Sequence, residues 1–214
     1  MKTAQFFIVL LSALLLFGCT NKKPTTGLYL LLDTSGTYTQ ELKKAQQIIN
    51  YYLAQLNPGD SFAVARIDSG SFSESDIIAK VTFDHRPSRA NEQKRVFSAT
   101  ISTFIDTVKS SAYTDISGGL LLAKEYLAET GADKKVILVF SDMQEELPKG
   151  YNRDFELNLP NYEVIAINVT KLRSDNQDPT QYMKRLKDWQ LKVEKSGGKW
   201  RMINDLEREQ SLAL

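Results

Sequence analysis

The sequence has almost none of the side chains on which disulfide-stapled and histidine-based architectures depend. A single cysteine, Cys19, excludes an intramolecular disulfide, so the fold must be held by its core. A single histidine, His85, excludes an imidazole cluster for zinc. Standing beside a strand end and next to Arg86, it reads as a surface residue and offers no Ser/His/Asp triad. Neither sign of charge prevails, since 27 Lys and Arg face 26 Asp and Glu. No net field draws the chain to nucleic acid, and no polybasic patch marks an anionic membrane surface. Internal repeats and low-complexity tracts are missing too. One long apolar run exists, residues 6–17 behind Lys2. It is too short to cross a bilayer comfortably as a helix and reads as an export signal.

That run ends in Leu16-Phe17-Gly18-Cys19, which resembles the lipobox of bacterial lipoproteins. The resemblance implies cleavage before Cys19 and lipidation of its thiol and new amino terminus. The expected organisation is a signal peptide over 1–18, a short tether over 19–27 and one domain over 28–214. Several acyl chains, at about 0.8 kcal/mol per buried methylene, make such an anchor essentially permanent. Thr20 stands where enterobacterial lipoproteins retained at the inner membrane carry Asp. By that resemblance the periplasmic face of the outer membrane is favoured in a Gram-negative envelope.

Beyond the tether, strands and helices alternate. Residues 28–32 are wholly apolar, as in a strand buried on both faces of a parallel sheet. From Thr39 a helical stripe of Leu42, Ala45, Ile49, Tyr52, Leu53 and Leu56 ends at the turn sequence Asn57-Pro58-Gly59-Asp60. Residues 62–67 and 77–83 read as strands whose short Ser/Gly-rich connection favours an antiparallel hairpin. Ser88 is the expected cap of a helix carrying Phe97, Ile101, Phe104 and Val108. Another helix runs over 117–130, with Leu120, Ala123 and Leu127 inward and Gly131 at its end. Two apolar strands at 136–140 and 164–169 flank a charged loop over 144–161. A last helix opens at Asp178-Pro179 with Tyr182, Leu186, Trp189 and Val193 on one face, and Gly197-Gly198 release it into a strand over 200–203. This order predicts a three-layer α/β domain, Rossmann-like, its sheet mostly parallel with one antiparallel edge strand.

Ligands of such sheets gather beyond the carboxyl ends of the strands, where strand order reverses. Three polar clusters fall there: Asp33, Ser35 and Thr37 after the first strand, Thr114 before the third helix, and Asp142 after residues 136–140. A carboxylate and two hydroxyls alternating along an extended turn direct hard oxygen atoms to one side. Oxygen donors of this kind suit Mg²⁺ or Mn²⁺ rather than zinc or copper.

Asp33-Thr34-Ser35-Gly36-Thr37, with Thr114 in "SAYTDISGGLLLA" and Asp142 in "VILVFSDMQEE", resembles the metal-ion-dependent adhesion site (MIDAS) of von Willebrand factor A (VWA) domains. There Asp-x-Ser-x-Ser on the first loop, Thr on the second and Asp on the third hold the ion. Thr37 replaces the last Ser and keeps its hydroxyl, while Met143 stands where the family often has Gly. Asp115 is the alternative second-loop ligand. The resemblance implies a VWA fold over most of the mature chain, no catalytic residue, a bound Mg²⁺ or Mn²⁺, and another envelope or extracellular protein whose Glu or Asp completes the ion's coordination. Tyr38 and Tyr113, which flank the proposed ligands, are the candidate rim of that partner-binding face.

Two alternatives stand beside this expectation. A degenerate module would bind partners through the same fold without metal. Haloacid-dehalogenase-like phosphatases also place Asp-x-Asp-Gly-Thr after a first strand. Here Ser35 replaces their second Asp, and a serine hydroxyl cannot protonate a leaving group at neutral pH.

Overall fold

The computed structural model describes residues 23–36, 38–67, 73–206 and 212–214. The signal segment, Cys19, Thr37 and most of the Ser/Gly-rich connection lie outside the described residues. Six strands form one sheet: β1 (Thr26–Asp33), β2 (Ser61–Ile67), β3 (Ile77–Thr82), β4 (Lys134–Phe140), β5 (Tyr162–Ile167) and β6 (Lys199–Ile203), in the order β3-β2-β1-β4-β5-β6. All neighbours pair in parallel except β2 and β3, which form the expected antiparallel hairpin at one edge.

Alternation along the central strands divides the core into two layers. Leu28, Leu30 and Leu32 of β1, with Val136, Leu138 and Phe140 of β4, face α1 (Leu42–Gln55) and α2 (Pro87–Thr107). Tyr29, Leu31, Ile137 and Val139 face α3 (Ile116–Glu129) and α4 (Pro179–Lys195). Because both faces are covered, these strands read as unbroken apolar runs. The helices follow their apolar stripes: Leu42, Ala45, Ile49, Tyr52 and Leu53 in α1, and Leu186, Trp189 and Val193 in α4, are all buried.

Helix ends show which local signals decide. Asp178 caps α4 by accepting from the Thr180 N–H at 3.1 Å, with Pro179 in the first turn. In α2 the cap position falls to Arg86, without a side-chain bond, and Ser88 lies inside the first turn. Pro87 is preorganised for the first helical position and starts the helix one residue before that serine. Gly131 ends α3 with φ of +63°, the left-handed conformation that glycine adopts at least cost.

The chain leaves β1 toward β2 on one side of the sheet and later enters β4 on the other. The carboxyl ends of β1 and β4 therefore flank the point where strand order reverses. Asp33 is the last residue of β1, and Ser141 and Asp142 directly follow β4.

Candidate metal centre

Asp33 is fully buried at its strand end. Its Oδ1 accepts the Ser35 N–H at 2.8 Å and its Oδ2 accepts the Ser141 hydroxyl at 2.6 Å. The Ser35 side chain bonds the same carboxylate. After β4 the device recurs: Asp142 Oδ1 accepts the Gln144 N–H at 2.9 Å, and Ser141 Oγ accepts the Met143 N–H at 3.0 Å. Turns of this kind, in which a short side chain bonds the backbone two residues on, fix a carboxylate at the start of a loop.

Three contacts tie the loops together. Ser35 and Ser111 form an isolated parallel bridge, with the Ser111 N–H donating to Thr34 O at 2.8 Å. Ser141 joins the third loop to Asp33. Thr114 and Glu146 exchange both backbone hydrogen bonds, at 2.8 and 2.9 Å. Asp33, Ser35, Thr114 and Asp142 thus come from three loops held against one another beyond the carboxyl ends of the central strands.

Burial of these acids is costly. Asp33 is pushed above the usual carboxylate range by desolvation, which outweighs its hydrogen bonds to Ser141 and Ser35. Asp142 is pushed up to about 6, chiefly by burial and further by the negative charge of Asp33. Among the described residues nothing donates to Asp142 Oδ2 or bonds the Thr114 hydroxyl, and neither oxygen is fully enclosed, so both remain open to a ligand. Two carboxylates that burial disfavours as anions, beside hydroxyl oxygens, form a donor set that a hard divalent cation fits. Among the described residues no three His, Cys, Asp or Glu side chains form a metal cluster. A site built from two acids and hydroxyls does not call for one.

Asp115, the alternative second-loop ligand, is committed elsewhere. Its Oδ1 caps α3 through the Gly118 N–H at 2.7 Å, and its Oδ2 accepts from Arg153 Nε and Nη2 at 2.8 and 2.6 Å. Gly118 makes room for this arrangement, and Gly119 lets α3 approach β1. A Cβ on Gly118 would stand 2.6 Å from Asp115 Oδ2, and one on Gly119 would stand 3.1 Å from Leu31.

The expectation for Tyr38 is corrected. It is 1% exposed, its ring packs edge-on against Phe140, and its hydroxyl donates to Asn168 O and accepts from Asn168 Nδ2. A ring in that position braces the first loop from beneath and cannot form a rim, because the apolar floor of the sheet offers more burial than the surface does. Tyr113, at 40% exposure, is on the surface beside Thr114.

Several residues around the site escape sequence reasoning. The charged 144–161 loop buries Leu157 and Leu159 completely and supplies Arg153 to Asp115. Arg185 of α4 forms a bidentate pair with buried Asp175, at 3.2 and 2.7 Å. For Arg185 the advance signal is a charged residue beside an otherwise apolar helix stripe.

Neither a protein-family model nor a curated protein matches the sequence. Solved structures do match in fold. The pilus adhesin SpaC from Lactobacillus rhamnosus GG, in its open conformation, superposes with a TM-score of 0.56 at 13% identity, over 90% of this chain and 29% of that one. A von Willebrand factor type A protein from Catenulispora acidiphila gives 0.55 at 13% identity, over 85% and 39%. An aerotolerance-related membrane protein from Bacteroides fragilis gives 0.50 at 13% identity, over 87% and 94%. The chain therefore spans less than half of the first two proteins and nearly all of the third. With its parallel sheet, antiparallel edge strand and helices on both faces, the chain has the fold of a von Willebrand factor type A domain.

Proposed function

We propose that this protein is a binding module, anchored in a bacterial envelope through lipidated Cys19, that holds a partner protein through a Mg²⁺- or Mn²⁺-dependent site. Asp33, Ser35, Thr37 and Thr114 sit on or near the ion, and Asp142 binds it directly or through water. The cation supplies an electrophilic centre with a coordination position left for an anionic group, and two acids do not exhaust its charge. An acidic side chain of the partner fills that position, while Tyr113 lines its approach. The chain's own residues orient the ligands and hold no proton in transit; the module has no catalytic role.

The observation that carries this reading is the meeting of Asp33 and Asp142 from two separate loops, both disfavoured as anions by burial. A purely structural role would be served at lower cost by neutral side chains. The fold is compatible with the reading, since one of the similar structures is a pilus adhesin.

Orientation follows from the same residues. A tether of about eight residues reaches no more than about 30 Å, and β1 runs from it to Asp33. The metal face then points away from the lipid, toward a partner arriving from the envelope space. Cross-linking of a probe at position 113 to lipid would contradict this.

Calorimetric titration of Mg²⁺ and Mn²⁺ into the purified protein, beside Asp33→Ala, tests the site. Saturable binding that disappears in the variant supports it. Equal, null titrations of both proteins at millimolar metal would leave the metal-independent module as the better reading.

A further inference from the structure

Two side chains one helical turn apart on the inner face of α4 grip the third loop by its backbone. Arg185 Nε donates to the carbonyl of Asp142 at 3.1 Å, and the indole N–H of Trp189 donates to the carbonyl of Met143 at 2.9 Å. The peptides they hold are consecutive and carry the carboxylate on which the proposed site depends. Met143 between them has φ of +64°. This is the left-handed region, which is unfavourable for a side chain with a Cβ and persists only when the surroundings enforce it.

Both donors are themselves immobilised. Asp175, which is 1% exposed and accepts the Leu172 N–H at 2.8 Å, grips the two terminal nitrogens of Arg185. That leaves Nε aimed at the loop. Trp189 is buried in the core layer between α4 and the sheet. Spacing of four residues on a helix places the two donors on one face, and they meet carbonyls one residue apart because the loop runs across the helix.

We propose that Arg185 and Trp189 are positioning residues for the metal centre: together they hold the third loop in its left-handed turn and present the Asp142 carboxylate to the cation. The proposal rests on the metal-dependent reading above. Without the clamp, Met143 relaxes toward ordinary backbone angles and Asp142 swings out of register with Asp33, although neither donor touches the ion. Changes to groups that orient metal ligands commonly weaken binding by about 10- to 100-fold.

The test compares wild type, Arg185→Lys, Trp189→Phe and Asp33→Ala in the purified protein. Mn²⁺ is the probe, with its dissociation constant and bound-water count read by electron paramagnetic resonance and water-proton relaxation. Thermal unfolding in chelator is recorded alongside. Trp189→Phe keeps an aromatic side chain in the core layer and loses the N–H with part of the ring volume, and the melts in chelator report whether each variant is folded before its Mn²⁺ affinity is compared. The expected result is Mn²⁺ affinity lowered about tenfold or more in each clamp variant, with an altered relaxation signature. Wild-type Mn²⁺ affinity in Trp189→Phe and Arg185→Lys, even with a lowered melting temperature, would make the contacts merely structural and overturn the proposal. Failure of wild type itself to bind Mn²⁺ would overturn the metal reading and the clamp together, and is distinguishable because the variants then play no part in the outcome.

Discussion

Replacing Asp142 by Asn separates the cost of the candidate site from its use. In chelator, the carboxylate of Asp142 has its pKa raised from 3.8 to about 6 by burial and by Asp33. A raised acid favours the protonated folded state, so the stability tied to it is fully present below pH 3.8 and is lost as the pH rises through 6. At pH 7.5 the folded protein therefore carries a penalty of about 3 kcal/mol, from roughly two pKa units at about 1.4 kcal/mol each. Asn cannot ionise, and its oxygen can still accept the Gln144 N–H. Asp142→Asn is thus expected to be more stable than wild type by about 3 kcal/mol at pH 7.5, by about 1 kcal/mol at pH 4.5 and by nothing near pH 3. For a domain of this size the gain at pH 7.5 corresponds to a melting temperature higher by about 6–12 °C. Metal is expected to offset most of the difference. At a hundred times its dissociation constant it returns about 2.7 kcal/mol to wild type, and much less to a variant that has lost a charged ligand. Urea unfolding in chelator and in Mg²⁺, across that pH range, reads both effects. A variant less stable than wild type in chelator at pH 7.5, or a gain that does not change with pH, would refute the reasoning.

Other perturbations test the scaffold around the site. Arg153→Ala leaves Asp115 buried without its cation and is expected to cost about 3–5 kcal/mol; the double change Arg153→Met with Asp115→Asn, which keeps the cap on α3, should cost measurably less in the same denaturant titration. Gly118→Ala should destabilise by about 1–3 kcal/mol despite the better helix propensity of alanine, because the new Cβ displaces the Asp115 carboxylate. Thermal unfolding of the pair Gly118→Ala and Gly131→Ala would separate that clash from ordinary backbone effects, since a Cβ at Gly131 meets nothing within 4 Å but is strained by its φ. Tyr38→Phe removes a buried hydroxyl that bonds Asn168 and should cost about 1–2 kcal/mol, with no effect expected if the ring were a solvent-facing rim.

Much of the architecture was legible because its forces are local or periodic. Uninterrupted apolar strands imply two covered faces, stripes at helical spacing imply one buried side, and Asp178-Pro179 announces the start of α4. The hairpin followed from a connection too short for a crossover. Around the site, legibility stops where pairing depends on tertiary approach. Nothing in the charged 144–161 segment says that Arg153 will reach back 38 residues to occupy the Asp115 carboxylate beside Thr114. Asp115 did carry a local signal, an acidic residue three before Gly118 at a helix start, which is cap chemistry. Tyr38 was ambiguous for a related reason: position beside a polar loop does not decide direction, and only the apolar floor of Phe140 and the acceptor on Asn168 turn it inward. Trp189 shows the same limit from the other side. Its spacing predicted a core ring correctly, but a stripe of apolar residues is silent about the one N–H it carries. That N–H finds the carbonyl of Met143 because α4 crosses the third loop there. Contacts that join segments are thus harder to read than motifs within one: the Asp33-Thr34-Ser35 pattern declares its chemistry locally, whereas the side chains packed against these loops become visible only when the fold sets distant segments side by side.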